Sequence, residues 1–497
     1  MPEAPDDQGD DMGRAALIVV AGIALAAPLT ALPAQAAAPV ARAAAVAATP
    51  PPTTTPLPFP FLRAGYVQAP ITPAQRIGAL TRPVAKGDTA PKDSHGARMV
   101  RINGRLYYHP VVLADWGTQN LESYRLTGDT FYLTRAEAQA NRLIAMRTVR
   151  DFAWYYPYTF DFALHSLPTQ VQRAPWYSAM SQGMALDLFT RLAQVTNDPA
   201  WRAAADHTFE SFLLPPKAGV PWVVHTDASH NLWLEEYPRW PWTKSDFTLN
   251  GHLFAVFGLD SYARMTNDPR ALALWDGGLR TAAVLAPRAF RNPGWYSDYC
   301  LAHGAPGAKK HFVHIDEFLH AHAATGSPTF ARLADSYALD YPSTSVRGRF
   351  YVARGRVTLS TLREGRIVGT RSLAVRASTS VAVDQRLRVR GHGIWFHIST
   401  GLLRGQWVQQ VPERQYYIGA GPLLRYLIPR TLHLPAGPNR VLRLDPSGFS
   451  AWTVRTLSAP GTSKVDRSGV IRGVAAVHVA SGPLAGLWVP FGTGRLD

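Results

Sequence analysis

The sequence predicts a mainly α-helical protein in which helical hairpins close into an α/α toroid and two small all-β modules follow. Three observations carry this. A helix-end punctuation mark recurs four times between Leu126 and Phe330. The whole chain carries 51 Lys+Arg against 35 Asp+Glu, and the entire excess lies from Tyr341 onward, where 22 meet only 6. Within that basic third, a pattern beginning at Phe396 returns at Val477, 81 residues later.

In chain order, Arg14 precedes an apolar run from Ala15 to Ala27, and Ala34-Gln35-Ala36 fits a small-residue cleavage site. Residues 1–36 therefore read as an export signal, with Met12 as an alternative start. The run is short for a membrane-spanning helix of about 20 residues, and an uncleaved anchor is the other reading. The protein is expected to be exported, either secreted or held at the cell envelope. Residues 37–60 are rich in Ala, Pro and Thr and read as a semi-rigid linker. The folded part starts near Phe61. Cys300 is the one cysteine, so no intramolecular disulfide forms and a cysteine-based metal site is not expected.

The helical region spans 61–341. Its mark reads LTGDTFYL at Thr127, VTNDPAW at Thr196, MTNDPRA at Thr266 and ATGSPTF at Thr325, at intervals of 69, 70 and 59 residues. Gly or Asn supplies the left-handed residue that ends one helix. Asp or Ser caps the next, with Pro at its first position in three copies. Apolar residues at spacings of 3 and 4 flank the marks: Tyr177, Met180, Met184, Leu188 and Leu192 before the second, and Trp201, Ala205, Phe209 and Phe212 after it. At least four hairpins follow, joined by loops. A solenoid is the alternative to a toroid.

Those loops hold the aromatic stretches. NLWLEEYPRWPW, residues 231–242, sets Glu235 and Glu236 among Trp233, Tyr237, Trp240 and Trp242. It is either a solvated loop over a Trp-rich core or a sugar site, with rings that stack on pyranose faces and a carboxylate that moves a proton. A second aromatic loop carries Trp154, Tyr155, Tyr156 and Tyr158 and reads as glycan stacking combined with core packing. His311, His314, His320 and His322 are candidate metal ligands by type but read as packing or polar histidines; no metal is expected.

From Tyr341 the pattern changes. Alternation such as Arg386-Leu387-Arg388-Val389-Arg390 indicates a half-buried strand with its arginines on one face. FHISTGLLRGQWV from Phe396 matches VHVASGPLAGLWV from Val477 at His, Gly, Leu, Gly, Trp and Val. Two tandem β modules are expected, 342–424 and 425–497. Their charge calls for an acidic partner: a polyanionic glycan, an anionic cell-envelope polymer or nucleic acid, the last of these not expected here.

The helical region resembles the C-terminal domain family of D-glucuronyl C5-epimerase. The matching stretches are APWYSAMSQGMALDLFTRL (174–192), WLEEYP (233–238), FTLNGHLFAVFGLDSY (247–262) and, more weakly, GWYSDY to HFVHIDEF (294–318). The resemblance implies an α/α toroid that inverts C5 of glucuronate in an acidic, heparan-type polysaccharide, without metal or redox cofactor. Such chemistry needs a base on one face of the sugar, an acid on the other, and donors that hold the carboxylate as it becomes enolate-like. By resemblance Glu236 is an acid/base and Tyr237 lines the same site. The family has a tyrosine where Ser297 stands and an arginine near Cys300. Its other site tyrosine falls on Lys310, which then serves as a base or binds a uronate carboxylate. Tyr177, Trp233, Glu235, Tyr296, Tyr299 and His314 complete the candidate substrate contacts. A polyuronate lyase, which shares the first proton abstraction, and a non-catalytic glycan- or envelope-binding protein are the alternatives.

Overall fold

The structure, a computed structural model, describes residues 57–497 apart from 168, 343, 364–365, 419–422 and 445–450. The predicted export signal and most of the predicted linker lie outside the described residues. The chain divides into two compact units: residues up to Leu285 with Cys300–Gly304, and Ala286–Tyr299 with Ala305–Asp497.

Eight α-helices form four hairpins among the described residues. They are α1 (Pro110–Thr127), α2 (Thr130–Met146), α3 (Ala179–Thr196), α4 (Pro199–Glu210), α5 (Leu249–Thr266), α6 (Pro269–Leu285), α7 (Ala308–Thr325) and α8 (Pro328–Asp340). Each mark sits at a hairpin turn. Gly128, Asn197, Asn267 and Gly326 have φ between 55° and 70°. Asp129, Asp198, Asp268 and Ser327 each accept a backbone N–H two residues on. The threonine of each mark adds a device of its own. Its hydroxyl donates to the carbonyl four residues back, and its oxygen accepts the N–H of the capping residue. One side chain thus closes the first helix and fixes the cap of the second. No helix among the described residues is long and apolar enough to cross a membrane.

The first unit contains α1 to α6. Helices α3 and α5 cross backbone to backbone: a Cβ on Gly258 would lie 2.1 Å from the Gly183 carbonyl oxygen, and one on Gly183 2.3 Å from Ala255 Cα. An extended arm starts the unit. The backbone N–H groups of Ala64, Gly65 and Tyr66 all donate to the buried Asp276 carboxylate of α6.

The second unit joins α7 and α8 to the β-rich part. A seven-stranded antiparallel sheet runs, edge to edge, through 366–375, 355–363, 407–409, 393–398, 379–389, 345–352 and 415–418. A five-stranded sheet runs through 488–490, 474–481, 461–471, 424–434 and 495–496. The sequence repeat is a structural one. His397 pairs with Trp407 and His478 with Trp488, ring centroids 5.2 and 5.3 Å apart. Each histidine also contacts an aspartate at 2.7 Å, Asp384 in one copy and Asp466 in the other. Helix α8 is tied to the second sheet by Asp335, which accepts from Tyr426, Ser468 and Arg430, all buried.

The register runs without a shift from Gln385 to Val389, so Arg386 and Arg388 share one face of a half-buried strand, as expected. It shifts earlier, between Val383 and Gln385. Arg386 is buried, which lowers its guanidinium to about 10.

Candidate active site

In the first unit, Val224–Thr226 and Leu232–Leu234 form a short buried hairpin with His225 opposite Trp233. Asp227 fixes its turn by accepting from the N–H groups of Ser229 and Asn231 and from Trp233 Nε1. The Trp233 ring is 1% exposed and meets Phe247 and His252 edge on. It is therefore core, not the substrate contact expected from the sequence.

The two glutamates that follow part company. Glu235 has no exposed surface. Its N–H donates to Val223 O, and its carbonyl accepts from Ala179 N at the start of α3. Its carboxylate contacts His225 Nε2 at 2.8 Å and accepts from Phe247 N at 3.2 Å. Burial raises its pKa against the opposing pull of His225. Glu235 is enclosed by these partners and positions the loop, so the expected substrate contact is corrected. Glu236 lies against the first turn of α5. A Cβ on Gly251 would fall 2.4 Å from Glu236 Oε2 and 2.5 Å from its Cβ. The glycine of FTLNG thus makes room for this carboxylate.

Aromatic rings surround the next position. Tyr237 is half-buried and lies 5.8 Å from Phe162 and 5.9 Å from Trp176, centroid to centroid. Trp176 stacks on Tyr158 at 3.7 Å, and Tyr158 meets His109 and Phe160. Burial raises the Tyr158 phenol, and the charge of Glu236 raises it further. Phe160 and Trp176 are not among the residues the sequence singles out, although Trp176 stands in the quoted WYSAM stretch; Tyr158 belongs to the second aromatic loop. Tyr177 is half-buried and donates to Thr148 Oγ1 at 3.1 Å. Trp154, Tyr155, Tyr156 and Tyr158 are all buried; Tyr155 donates to Ser211 O, and Tyr156 bonds Thr208. Trp154, Tyr155 and Tyr156 thus belong to the core, and only Tyr158 stacks on the rings beside Glu236.

The remaining predicted residues fall in the second unit. Ser297 is buried and held by two histidines of α7. Its N–H donates to His311 Nδ1 at 2.9 Å, and its Oγ lies 2.9 Å from His314 Nδ1. His311 Nε2 bonds Tyr337 O at 2.9 Å, which makes Nε2 the protonated nitrogen and leaves Nδ1 to accept. Burial lowers His311 to about 4 and holds His314 well below its ordinary value. Tyr296 stacks on Tyr341 at 3.7 Å, and burial raises its phenol. Lys310 Nζ lies 4.6 Å from the centre of the Tyr299 ring. His322 contacts Ser327 O and His320 lies near Asp316; neither belongs to the candidate metal group found among the described residues. That group is His165, Asp246, Cys300 and His303, in the first unit, so the lone cysteine does have metal-ligating neighbours.

A carboxylate lodged at a helix start beside stacked aromatics, on a scaffold of helical hairpins, fits a carbohydrate-modifying class of protein. Residues 147–338 match the family model described as D-glucuronyl C5-epimerase C-terminus. The likeness to that family covers this helical region. A curated D-glucuronyl C5-epimerase from Caenorhabditis elegans is 28% identical over 153 residues, covering 28% of this chain and 24% of that protein. The chain thus spans about a quarter of that relative's length. Among solved structures, a family 76 glycoside hydrolase from a bovine Bacteroides thetaiotaomicron strain is 16% identical, covers 43% of each chain and has a TM-score of 0.29. An unsaturated glucuronyl hydrolase from Streptococcus agalactiae is 12% identical, covers 47% of this chain and 59% of its own, and has a TM-score of 0.33. Neither structural likeness bears on the chemistry of this chain.

Proposed function

We propose that the protein inverts C5 of glucuronate residues within an acidic polysaccharide. The carrying observation is Glu236, seated on Gly251 at the start of α5 beside the Tyr158–Trp176–Tyr237 rings, inside the segment that matches the epimerase family. In this reading Glu236 takes the C5 proton from one face of the sugar, and Tyr237 lines the site. The electron pair delocalises into the uronate carboxylate, and a proton returns to the opposite face. By resemblance, Lys310 is a candidate base or uronate-carboxylate ligand. The reading keeps the α/α toroid as the arrangement of the hairpins. It also keeps export to the cell envelope, with the two β-sheets, as modules 342–424 and 425–497, binding an acidic glycan or envelope polymer.

The test is exchange of C5 hydrogen with solvent deuterium on heparosan and a panel of other polyuronates. Exchange that Glu236→Gln lowers at least ~100-fold is the expected result. Formation of an ultraviolet-absorbing unsaturated uronate would identify a lyase instead. Neither exchange nor elimination on any polymer would leave a binding protein and end the enzyme reading.

A further inference from the structure

Four donor side chains converge in the first unit. His165, Asp246, Cys300 and His303 each bring one ligand atom, and these atoms lie within 4.8 Å of one another. His165 Nε2 is 2.7 Å from Asp246 Oδ2, and His303 Nδ1 is 3.3 Å from Asp246 Oδ1. Cys300 Sγ is 3.4 Å from His165 Nε2 and 3.4 Å from His303 Nδ1. Asp246 and Cys300 have no exposed surface, and Asp246 Oδ1 accepts no hydrogen bond among the described residues.

We propose that these four residues form a zinc site that fastens three loops of the first unit together. Zinc–nitrogen and zinc–oxygen bonds of about 2.0–2.2 Å and a zinc–thiolate bond of about 2.3 Å set the edges of a tetrahedral shell near 3.3–3.6 Å. Three of the four measured separations lie within about 0.1 Å of that range. The donors also select the metal. One thiolate and two imidazoles disfavour calcium and magnesium, which take oxygen ligands. Four protein donors fill a tetrahedral shell, so the site is structural rather than catalytic.

The loops explain the value of such a fastening. His165 comes from the segment between the aromatic loop and α3. Asp246 precedes Phe247, whose N–H holds Glu235 beside Glu236. Cys300 and His303, spaced C-x-x-H, belong to the short stretch 300–304 that joins the first unit. That stretch is also joined to 246–248 through the backbone: Leu301 N to Phe247 O, Ala302 N to Asp246 O and a bridge between Thr248 and Cys300. The metal adds covalent-strength ties at that junction and so sets the loop that leads from Glu236 into α5.

The test uses the full chain. Elemental analysis after exhaustive dialysis is expected to give one zinc per chain, falling below a tenth of that in Cys300→Ser and in His303→Ala. Exchange of cobalt(II) for zinc is expected to give a thiolate-to-cobalt charge-transfer band that Cys300→Ser removes. Because a variant can fail to fold, the wild type carries an independent arm. Chelation should lower Tm and expose Cys300 to alkylation, and added zinc should restore both. Zinc-free protein that takes up no cobalt, a band that persists in Cys300→Ser, or a Tm indifferent to chelator and zinc would overturn the proposal.

Discussion

At the residue scale, the adjacent glutamates show what sequence can and cannot separate. Identical side chains at 235 and 236, just past the strand 232–234 where the chain bends, point into different surroundings. One is locked by His225 and Phe247, and the other rests on Gly251. The EEYP motif identified the pair and resemblance singled out Glu236, but the enclosure of Glu235 depends on partners 10 and 12 residues away. Gly251→Ala tests the seat. The added methyl would fall within bonding range of the Glu236 side chain. Turnover on an active polyuronate is expected to drop at least ~10-fold and Tm to fall as well, since the Glu236 Cβ at 2.5 Å cannot swing aside with the carboxylate. Unchanged turnover would remove Glu236 from the reaction centre.

A second residue escaped sequence reading because nothing local marks it. Asp115 of α1 accepts from Gln119 at 2.6 Å, and burial pushes its carboxyl up to about 7. The folded chain therefore keeps this proton at pH values where the unfolded chain, with an ordinary value of 3.8, has lost it. Its contribution favours folding below pH 3.8 and fades as pH rises to about 7. Asp115→Asn has no such slope. Denaturant titrations across pH should show the variant gaining stability relative to wild type through that window and levelling off above it. A flat difference would mean that the carboxyl titrates normally.

At the element scale, the hairpins were legible because their ends are chemically marked. Left-handed Gly or Asn, an Asp or Ser cap and a following Pro each answer a local backbone need, and local needs are written locally. The threonine of each mark was visible, but its double hydrogen bond was not read. The register shift between Val383 and Gln385 was not legible, because a bulge leaves the alternation that follows it intact. The crossing of α3 and α5 was hidden for a similar reason. A helical glycine usually costs about 1 kcal/mol relative to alanine, and nothing in sequence says what compensates. Here Gly183 and Gly258 let two backbones touch. Gly258→Ala should therefore destabilise by ~3 kcal/mol or more, against the gain that helix propensity alone would give. Equilibrium unfolding decides the sign, and a stabilised variant would mean the helices separate freely.

At the scale of the whole chain, charge distinguishes the two parts of the sequence. Up to residue 340 the counts balance at 29 of each sign, and many of those charges are spent internally. Arg191 bridges Glu122 and Asp187, and Arg270 bridges Asp268 and Glu210. From Tyr341 onward the excess has too few acids to meet it. Arg386 is buried and Arg430 is held by Asp335, so neither contributes to the surface. The hairpin of 355–363 and 366–375, by contrast, exposes Arg356, Arg363, Arg366 and Arg371, with Arg354 and Arg376 at its ends. Such a surface attracts polyanions through a field that salt screens, with a Debye length near 10 Å at 0.1 M and about 3 Å at 1 M. Binding of the full chain to heparosan is therefore expected to weaken at least ~10-fold between those ionic strengths, and charge reversal at Arg356, Arg363 and Arg371 should weaken it further at low salt. A neutral glucan should show neither effect. Binding to heparosan that ignores both salt and these arginines would mean that the basic third does not hold the polymer, and any affinity would then have to come from the aromatic site around Glu236.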